Sequence, residues 1–588
     1  MNCPSRVDPP VDDGYNQNPN ALNADATTRA DLDHMANARL QRRHRIDPAD
    51  GPASEIERGG PQNDDDKRID VTALGGEGTT VVAVTGGKCP AGPGSGAGGT
   101  RGRLGGAKRL RAAGKGASRK VLKVMRKYAK FIGPGFMVAV AYIDPGNYAT
   151  DVAAGAAYRF KLLFIVLMSN IFAIFLQSLC IKLGSVTGMN LAENCKAHLP
   201  PWLNYLLYVF AESAIIATDI AEVIGTAIAL NILLKVPLVA GCAISIVDVL
   251  IILVFYRPSG TMKSLRAFEF FVMLLVLGVV VCFCFELSKI NAPVGDVFRG
   301  YLPSSTLIQS QALYQACGIL GATVMPHSLY LGSGIVQPRL REFDEAHPPS
   351  TTFTTHSTDS LNSEPTKYKP SLAAIQACMT YSIIELSLSL FTFALFVNSA
   401  ILIVAGASLY GLPEATSADL FSIHDLLSST IAPVTGTLFA LALLLSGTSA
   451  GIVCTISGQM VSEGQLNWSV KPWIRRLLTR LISITPSIII AGAVGREGLG
   501  RALEGSQVAL SVILPFVSAP LIWFTCRGRY MKVAVRGVGV RGGGEGDEHE
   551  ETVQMRNHWV TAGFAVVIWG VIVVMNVALL VLVGKGVA

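Results

Sequence analysis

Two short stretches of this chain set metal-binding atoms beside a helix breaker in the middle of long apolar runs. The first reads Asp144-Pro145-Gly146-Asn147. Pro145 has no N–H to give the carbonyl of Ala141, and Gly146 favours local unwinding. One point in the run therefore gathers a carboxylate, an amide oxygen and a freed carbonyl. The second stretch, Gly321-Ala322-Thr323-Val324-Met325-Pro326-His327, repeats the device with other chemistry. Pro326 leaves the carbonyl of Ala322 without its donor, Met325 offers a thioether beside it, and His327 an imidazole just beyond. Singly, each has a plain reading: a kinked helix with a paired aspartate, a packed methionine, a hydrogen-bonded histidine. Together, broken helices at matching positions in two halves of a membrane protein point to a transporter's central site.

The donor set narrows the ligand. Carboxylate, amide and carbonyl oxygens suit hard divalent ions, while a thioether favours softer ones. One sulfur among oxygens suggests manganese or ferrous iron as the cargo, with cadmium and cobalt as passengers. No thiolate cluster is present, so copper(I) fits poorly. A further acidic pair, Asp219 and Glu222, lies three residues apart and shares one helix face. Its plain reading is neutralisation by arginines in the Arg475–Arg480 region. Glu212, one heptad earlier, is a weaker candidate.

The surrounding chain must hold these residues in a bilayer. Of 588 residues, 50% are hydrophobic and only 15% charged, with a mean hydropathy of +0.43. Soluble domains carry about a quarter charged residues, and here the charges crowd into the first 130 residues and a few loops. Residues 1–130 are rich in Asp, Asn, Gly, Arg and Pro and read as a disordered cytoplasmic tail, basic near its end. Eleven runs are long enough to cross ~30 Å of hydrocarbon as helices: near 131–156, 160–185, 203–231, 236–256, 267–288, 307–336, 371–404, 428–461, 474–494, 503–526 and 558–583. Loops after even-numbered spans hold most of the basic residues, such as Arg257, Lys263 and Arg266, or Arg527, Arg529, Lys532 and Arg536. That bias predicts a cytoplasmic N-terminus. The Ser-, Thr- and Pro-rich segment 338–370 reads as a flexible insertion, and 527–588 as a basic loop followed by the last span. The cysteines have no metal-finger spacing, and the net charge of +7 sits mostly before the first span, which suggests anionic lipid rather than nucleic acid.

These two motifs resemble those of the Nramp family of proton-coupled manganese and iron transporters, and the long tails and Gly332 resemble its fungal branch. The resemblance covers roughly residues 130–525. It implies an all-α membrane protein of LeuT-like fold, with helices 1–5 (131–288) and 6–10 (307–526) as a 5+5 inverted repeat, an eleventh helix after them, and helices 1 and 6 broken at Pro145, Gly146 and Pro326. It implies that Asp144, Asn147, Met325 and the carbonyls of Ala141 and Ala322 hold the metal. Gln507, in Gly505-Ser506-Gln507-Val508-Ala509-Leu510-Ser511, would join them when the site is occluded; its plain reading is an interhelical hydrogen bond. His327, Asp219 and Glu222, with Asp144, would form the proton pathway. Two departures stand out. Many relatives have a second histidine where this chain has Gly332, and around the eighth span Thr455, Gly458 and Gln459 match while Ile452 and Cys454 do not.

The expectation is thus a proton-coupled symporter for Mn2+ or Fe2+, working by alternating access into the cytosol, in the plasma membrane or an endosomal or vacuolar membrane, with no cofactor and no enzymatic activity. Two rivals differ in class: a metal sensor acting through its tail, and a cation-coupled carrier of organic solutes, which needs a wider pocket and no thioether.

Overall fold

The computed structural model describes residues 133–247, 262–348, 368–412, 419–467, 472–535 and 551–586. The tail, 1–130, lies outside them.

Where a span breaks, the local sequence says why. Helix α1 (Pro134–Val140) opens with Pro134 at its first position and is followed by four non-helical residues. Helix α2 (Pro145–Tyr158) restarts the span, with Pro145 at its first position and Asp144 as its N-cap. α3 (Leu163–Thr187) ends on Gly188, whose φ of 67° is the left-handed geometry that closes a helix. A short α4 (Leu191–His198) opens with a capping box between Asn190 and Glu193. α5 (Pro201–Leu234) is the third span and α6 (Leu238–Ile244) begins the fourth. The expected fourth span, 236–256, continues into 248–261, outside the described residues. α7 (Met262–Lys289) is the fifth span, and α8 (Val294–Gly300) lies in the loop after it.

The sixth span is split into α9 (Ser310–Thr323) and α10 (Pro326–Gly334), with Met325 in extended geometry between them. α11 (Gln337–Ala346) follows directly. The segment 338–370 therefore does not start as a flexible insertion, as expected, but as helix; Pro338 sits in the first turn, where its missing N–H costs nothing. Residues 349–367 are outside the described set. The seventh span runs through α12 (Leu372–Ser389), a π turn (Leu390–Ala394) and α13 (Leu395–Ser408). The eighth was expected from 428, but two helices meet there: α14 (Leu420–Thr430), capped by Asp419, and α15 (Pro433–Leu466). The residue before a proline avoids helical geometry, and Ala432 is extended accordingly. α16 (Pro472–Ala493), α17 (Arg496–Cys526) and α18 (Trp559–Gly584) are the ninth to eleventh spans. Between the last two, β1 (Lys532–Val535) pairs antiparallel with β2 (Glu551–Gln554).

Eight helical segments among the described residues are long and apolar enough to cross a membrane; the split first span, α6 and α16 account for the other predicted positions. Burial sorts them. The apolar window of the sixth span is 100% buried, against 33% for α7 and 22% for α18. The broken spans therefore occupy the centre of the bundle, while α7 and α18 turn their apolar faces outward, as lipid-facing helices do. α2 packs on α13 and α9, and α5 on α15 and α17. The chain is an integral, multi-pass membrane protein.

Candidate metal centre

In the first break the backbone tightens before it opens. Ala141, Tyr142 and Ile143 each donate to the carbonyl three residues back (3.0, 3.1 and 3.1 Å). Asp144 then caps α2: Oδ2 accepts from the N–H of Gly146 (2.9 Å) and Oδ1 from that of Asn147 (3.3 Å). Its carboxylate is held by backbone donors at a helix N-terminus, where the dipole favours negative charge.

Asn147 joins the two breaks. Its Nδ2 donates to Asp144 Oδ1 at 2.6 Å, to the Tyr142 carbonyl at 3.1 Å and across to the Ala322 carbonyl at 3.2 Å. That last oxygen is the one Pro326 deprives of its helical donor. Thr323 Oγ1 lies 3.5 Å from Asn147 Oδ1. Three oxygens from both broken spans thus converge on one amide group, which supplies the positive end of a dipole among them. The pieces are held from outside as well: Asn398 on α13 donates to the Tyr142 carbonyl (3.1 Å) and Ser446 on α15 to that of Ile143 (2.7 Å).

Gln507 reaches the same place from α17. Its side chain lies against Gly146 so closely that a Cβ there would fall on the carboxamide. Its Nε2 donates to Ser506 Oγ (3.0 Å), while its buried Oε1 has no hydrogen-bond partner among the described residues. A buried acceptor left open in this way costs free energy, and a cation would remove that cost. The plain reading of Gln507, an interhelical hydrogen bond, does not describe its oxygen. Met325 is fully buried at the head of α10, and its carbonyl accepts from Ser328 N and Oγ (3.2 and 2.8 Å). Asp144, Asn147, Ala322 and Gln507 are therefore gathered in direct contact or across Gly146, with Ala141 and Met325 flanking the two breaks.

The remaining predicted residues form a second group. His327 Nδ1 lies 3.3 Å from Thr218 Oγ1 on α5. Next to Thr218, Asp219 pairs with Arg480 of α16, whose Nη1 also lies 3.5 Å from Glu222 Oε2. Arg480 supplies the expected counter-charge, and its other nitrogen donates to the Ser245 carbonyl (3.4 Å). Cys454, one of the departures, sits within 4.8 Å of both acids. The buried pair, the guanidinium and the histidine are thus gathered beside α5.

Sequence reasoning missed three supports. Gln177 on α3 donates to Tyr142 Oη (2.9 Å), Ser328 O (3.0 Å) and Ser328 Oγ (2.9 Å), tying the two broken spans together. A Cβ on Gly332 would land on Gln177 Oε1, so the glycine makes room for this glutamine. Glu385 on α12 caps α1, accepting from Gly133 N (3.1 Å) and Gly135 N (3.0 and 2.8 Å). Beside it, Arg339 pairs with Glu269 at 2.7 Å with both side chains buried. An ionisable residue in the middle of a span was the available signal for Glu385.

The chain has extensive parallels among known proteins. The family described as natural resistance-associated macrophage protein-like, Nramp, matches residues 135–543. The chain is 51% identical over 505 residues to the manganese transporter SMF1 of Saccharomyces cerevisiae, covering 80% of this chain and 88% of that one. It is 54% identical over 418 residues to the iron transporter SMF3 of the same yeast, covering 71% and 85%. Among solved structures, the Eremococcus coleocola manganese transporter superposes with a TM-score of 0.60 at 28% identity, over 76% of this chain and 85% of that chain. The identity and coverage reach well beyond the two motifs, and the chain belongs to the Nramp family.

Proposed function

We propose that this protein carries divalent transition-metal ions, manganese or ferrous iron, across a membrane into the cytosol, coupled to protons and by alternating access. One observation carries the reading: at the paired helix breaks, the Asp144 carboxylate, the Asn147 amide and the Ala322 carbonyl converge, with the unpartnered Gln507 oxygen over Gly146. The relatives named for manganese and iron transport point the same way.

The geometry suggests how an ion is taken. The Asn147 amide N–H2 stands where three oxygens meet. An arriving cation displaces it, and the side chain turns to present Oδ1, so the same oxygens that held the amide hold the metal. Gln507 Oε1 closes the shell from α17, and the Met325 thioether disfavours calcium and magnesium, which bind sulfur poorly. The carboxylate must be ionised to bind, so metal loading and protonation at Asp144 are linked. Released protons pass to the second group, His327, Thr218 and the Asp219–Glu222–Arg480 cluster. Movement of the first and sixth spans against the rest exposes the site to each side in turn. The N-terminal tail faces the cytosol, on the charge bias of the loops.

Manganese uptake into proteoliposomes, with and without an inward proton gradient, tests this. The intact protein is expected to show gradient-stimulated uptake, and Asp144→Ala to show none. Absence of uptake of both manganese and iron by folded intact protein would favour a sensor instead. Met325→Ala is expected to admit calcium; unchanged exclusion of calcium in that variant would remove the role given to sulfur.

A further inference from the structure

A groove of about 790 Å³ runs between α5, α17 and α18, away from the metal centre, and ends at the turn between α4 and α5. Its walls are apolar: Leu203 and Phe210 from α5, Phe516 and Ala519 from α17, Val573 and Leu580 from α18. Along α17 the lining runs from Val512 to Trp523, about 16 Å of helix at 1.5 Å per residue. One leaflet of the hydrocarbon core is about 15 Å, half of ~30 Å. The groove therefore has the length of one leaflet.

Its mouth is different in kind. Trp523, Tyr530 and His198 form an aromatic rim, with the Tyr530 and His198 rings 4.8 Å apart. The Arg527 guanidinium lies 3.5 Å from the centre of the Trp523 ring. Arg529 lies near enough to His198 for its charge to bear on the imidazole. Both arginines are exposed, and among the described residues neither forms an ion pair with a carboxylate. Aromatic rings at the end of an apolar slot mark the interface of a bilayer, and unpaired basic side chains there attract phosphate headgroups.

We propose that this groove is a binding site for one anionic phospholipid, with an acyl chain along α17 and the headgroup phosphate on Arg527 and Arg529. A soluble anion would use the arginines and leave the apolar slot bare. An uncharged lipid would fill the slot and leave the arginines unused. A chain with an anionic head satisfies both. The walls of the slot, α5 and α17, are the helices that carry Asp219, Glu222 and Gln507.

The test is native mass spectrometry of the delipidated full chain titrated with phosphatidylserine and with phosphatidylcholine of the same acyl composition. The expected result is a preference of roughly 30-fold for phosphatidylserine, from about fivefold per basic side chain. In the double variant Arg527→Ala/Arg529→Ala, phosphatidylserine should bind no better than phosphatidylcholine, while an unchanged thermal unfolding midpoint shows the fold intact. Ala519→Phe, which fills the slot and keeps both arginines, should lose retention of both lipids. Undiminished phosphatidylserine preference in the arginine variant, or undiminished retention of both lipids in Ala519→Phe, overturns the proposal. So does a dimer mass that persists on adding lipid and is lost in Ala519→Phe, since a second copy would then be the occupant.

Discussion

Replacing Gly146 with alanine separates two effects that usually travel together. Gly146 is the second residue of α2, and its backbone is not in the left-handed region, so an alanine suits the helix itself. On helix propensity alone, the change should stabilise the protein by up to about 1 kcal/mol. The added methyl, however, lands on the nitrogen, carbon and oxygen of the Gln507 carboxamide. That side chain has to swing aside, which carries its unpartnered oxygen away from the centre. Overpacking of this sort costs about 1–3 kcal/mol, and it falls on the metal-bound state, which needs Gln507 in place. A coupling of that size corresponds to an affinity loss of about 5- to 150-fold. Calorimetric titration of manganese into detergent-solubilised protein measures it, with thermal unfolding as the control. In a Gln507→Ala background there is nothing left to displace, so Gly146→Ala should then cost no affinity, giving an interaction free energy as large as the single effect. Equal losses in both backgrounds, or wild-type affinity in Gly146→Ala, would refute the account of Gln507.

Three other outcomes follow from contacts away from the ion. Arg480→Gln leaves Asp219 and Glu222 buried without their guanidinium, so thermal unfolding should report a loss of about 3–5 kcal/mol, most of it regained on adding Asp219→Asn and Glu222→Gln. Glu385→Ala strands the N–H groups of Gly133 and Gly135, at about 1–3 kcal/mol for each buried donor; amide hydrogen exchange should speed up in α1 and stay slow in α2. Gly332→His drives Gln177 off Tyr142 and Ser328 and should lower the unfolding midpoint, whereas adding Gln177→Ala should bring it back up.

The parts of this architecture written in the local sequence were readable from it. Pro145 and Pro326 each remove a donor, so the positions of both breaks and the identity of the two freed carbonyls follow from the chain alone. Span positions follow from apolar length. Where two signals merge, the reading blurred: the apolar run through 428–461 hid the turn at Ala432–Pro433, and α11 was lost because a polar, charged helix resembles a loop by composition. What the sequence could not provide was pairing. Gln177, Asn398 and Glu385 each stand among a few other polar residues on largely apolar helices. Such a residue announces that it faces protein rather than lipid, but its partner lies on another span, at a rotation no single helix specifies. Gln507 was found through family likeness; its open oxygen and its contact with Gly146 emerge only when α17 is laid against α2.

The seventh span grips α1 at both ends, through Glu385 at the start and through Asn398 at the break. Mechanically this makes α1 a lever. Its fulcrum is the unwound stretch, where Tyr142 and Ile143 are pinned by Asn147, Asn398 and Ser446. The free arm is the seven residues from Pro134 to Val140, about 10 Å long at 1.5 Å per residue. A tilt of roughly 20° about that fulcrum would carry the far end of such an arm through more than 3 Å, beyond hydrogen-bond reach of any one carboxylate. All the bonds to Glu385 then break together rather than one by one. The arm is either latched or released, and on the proposed function an ion held at the fulcrum would be spared the travel that uncovers it.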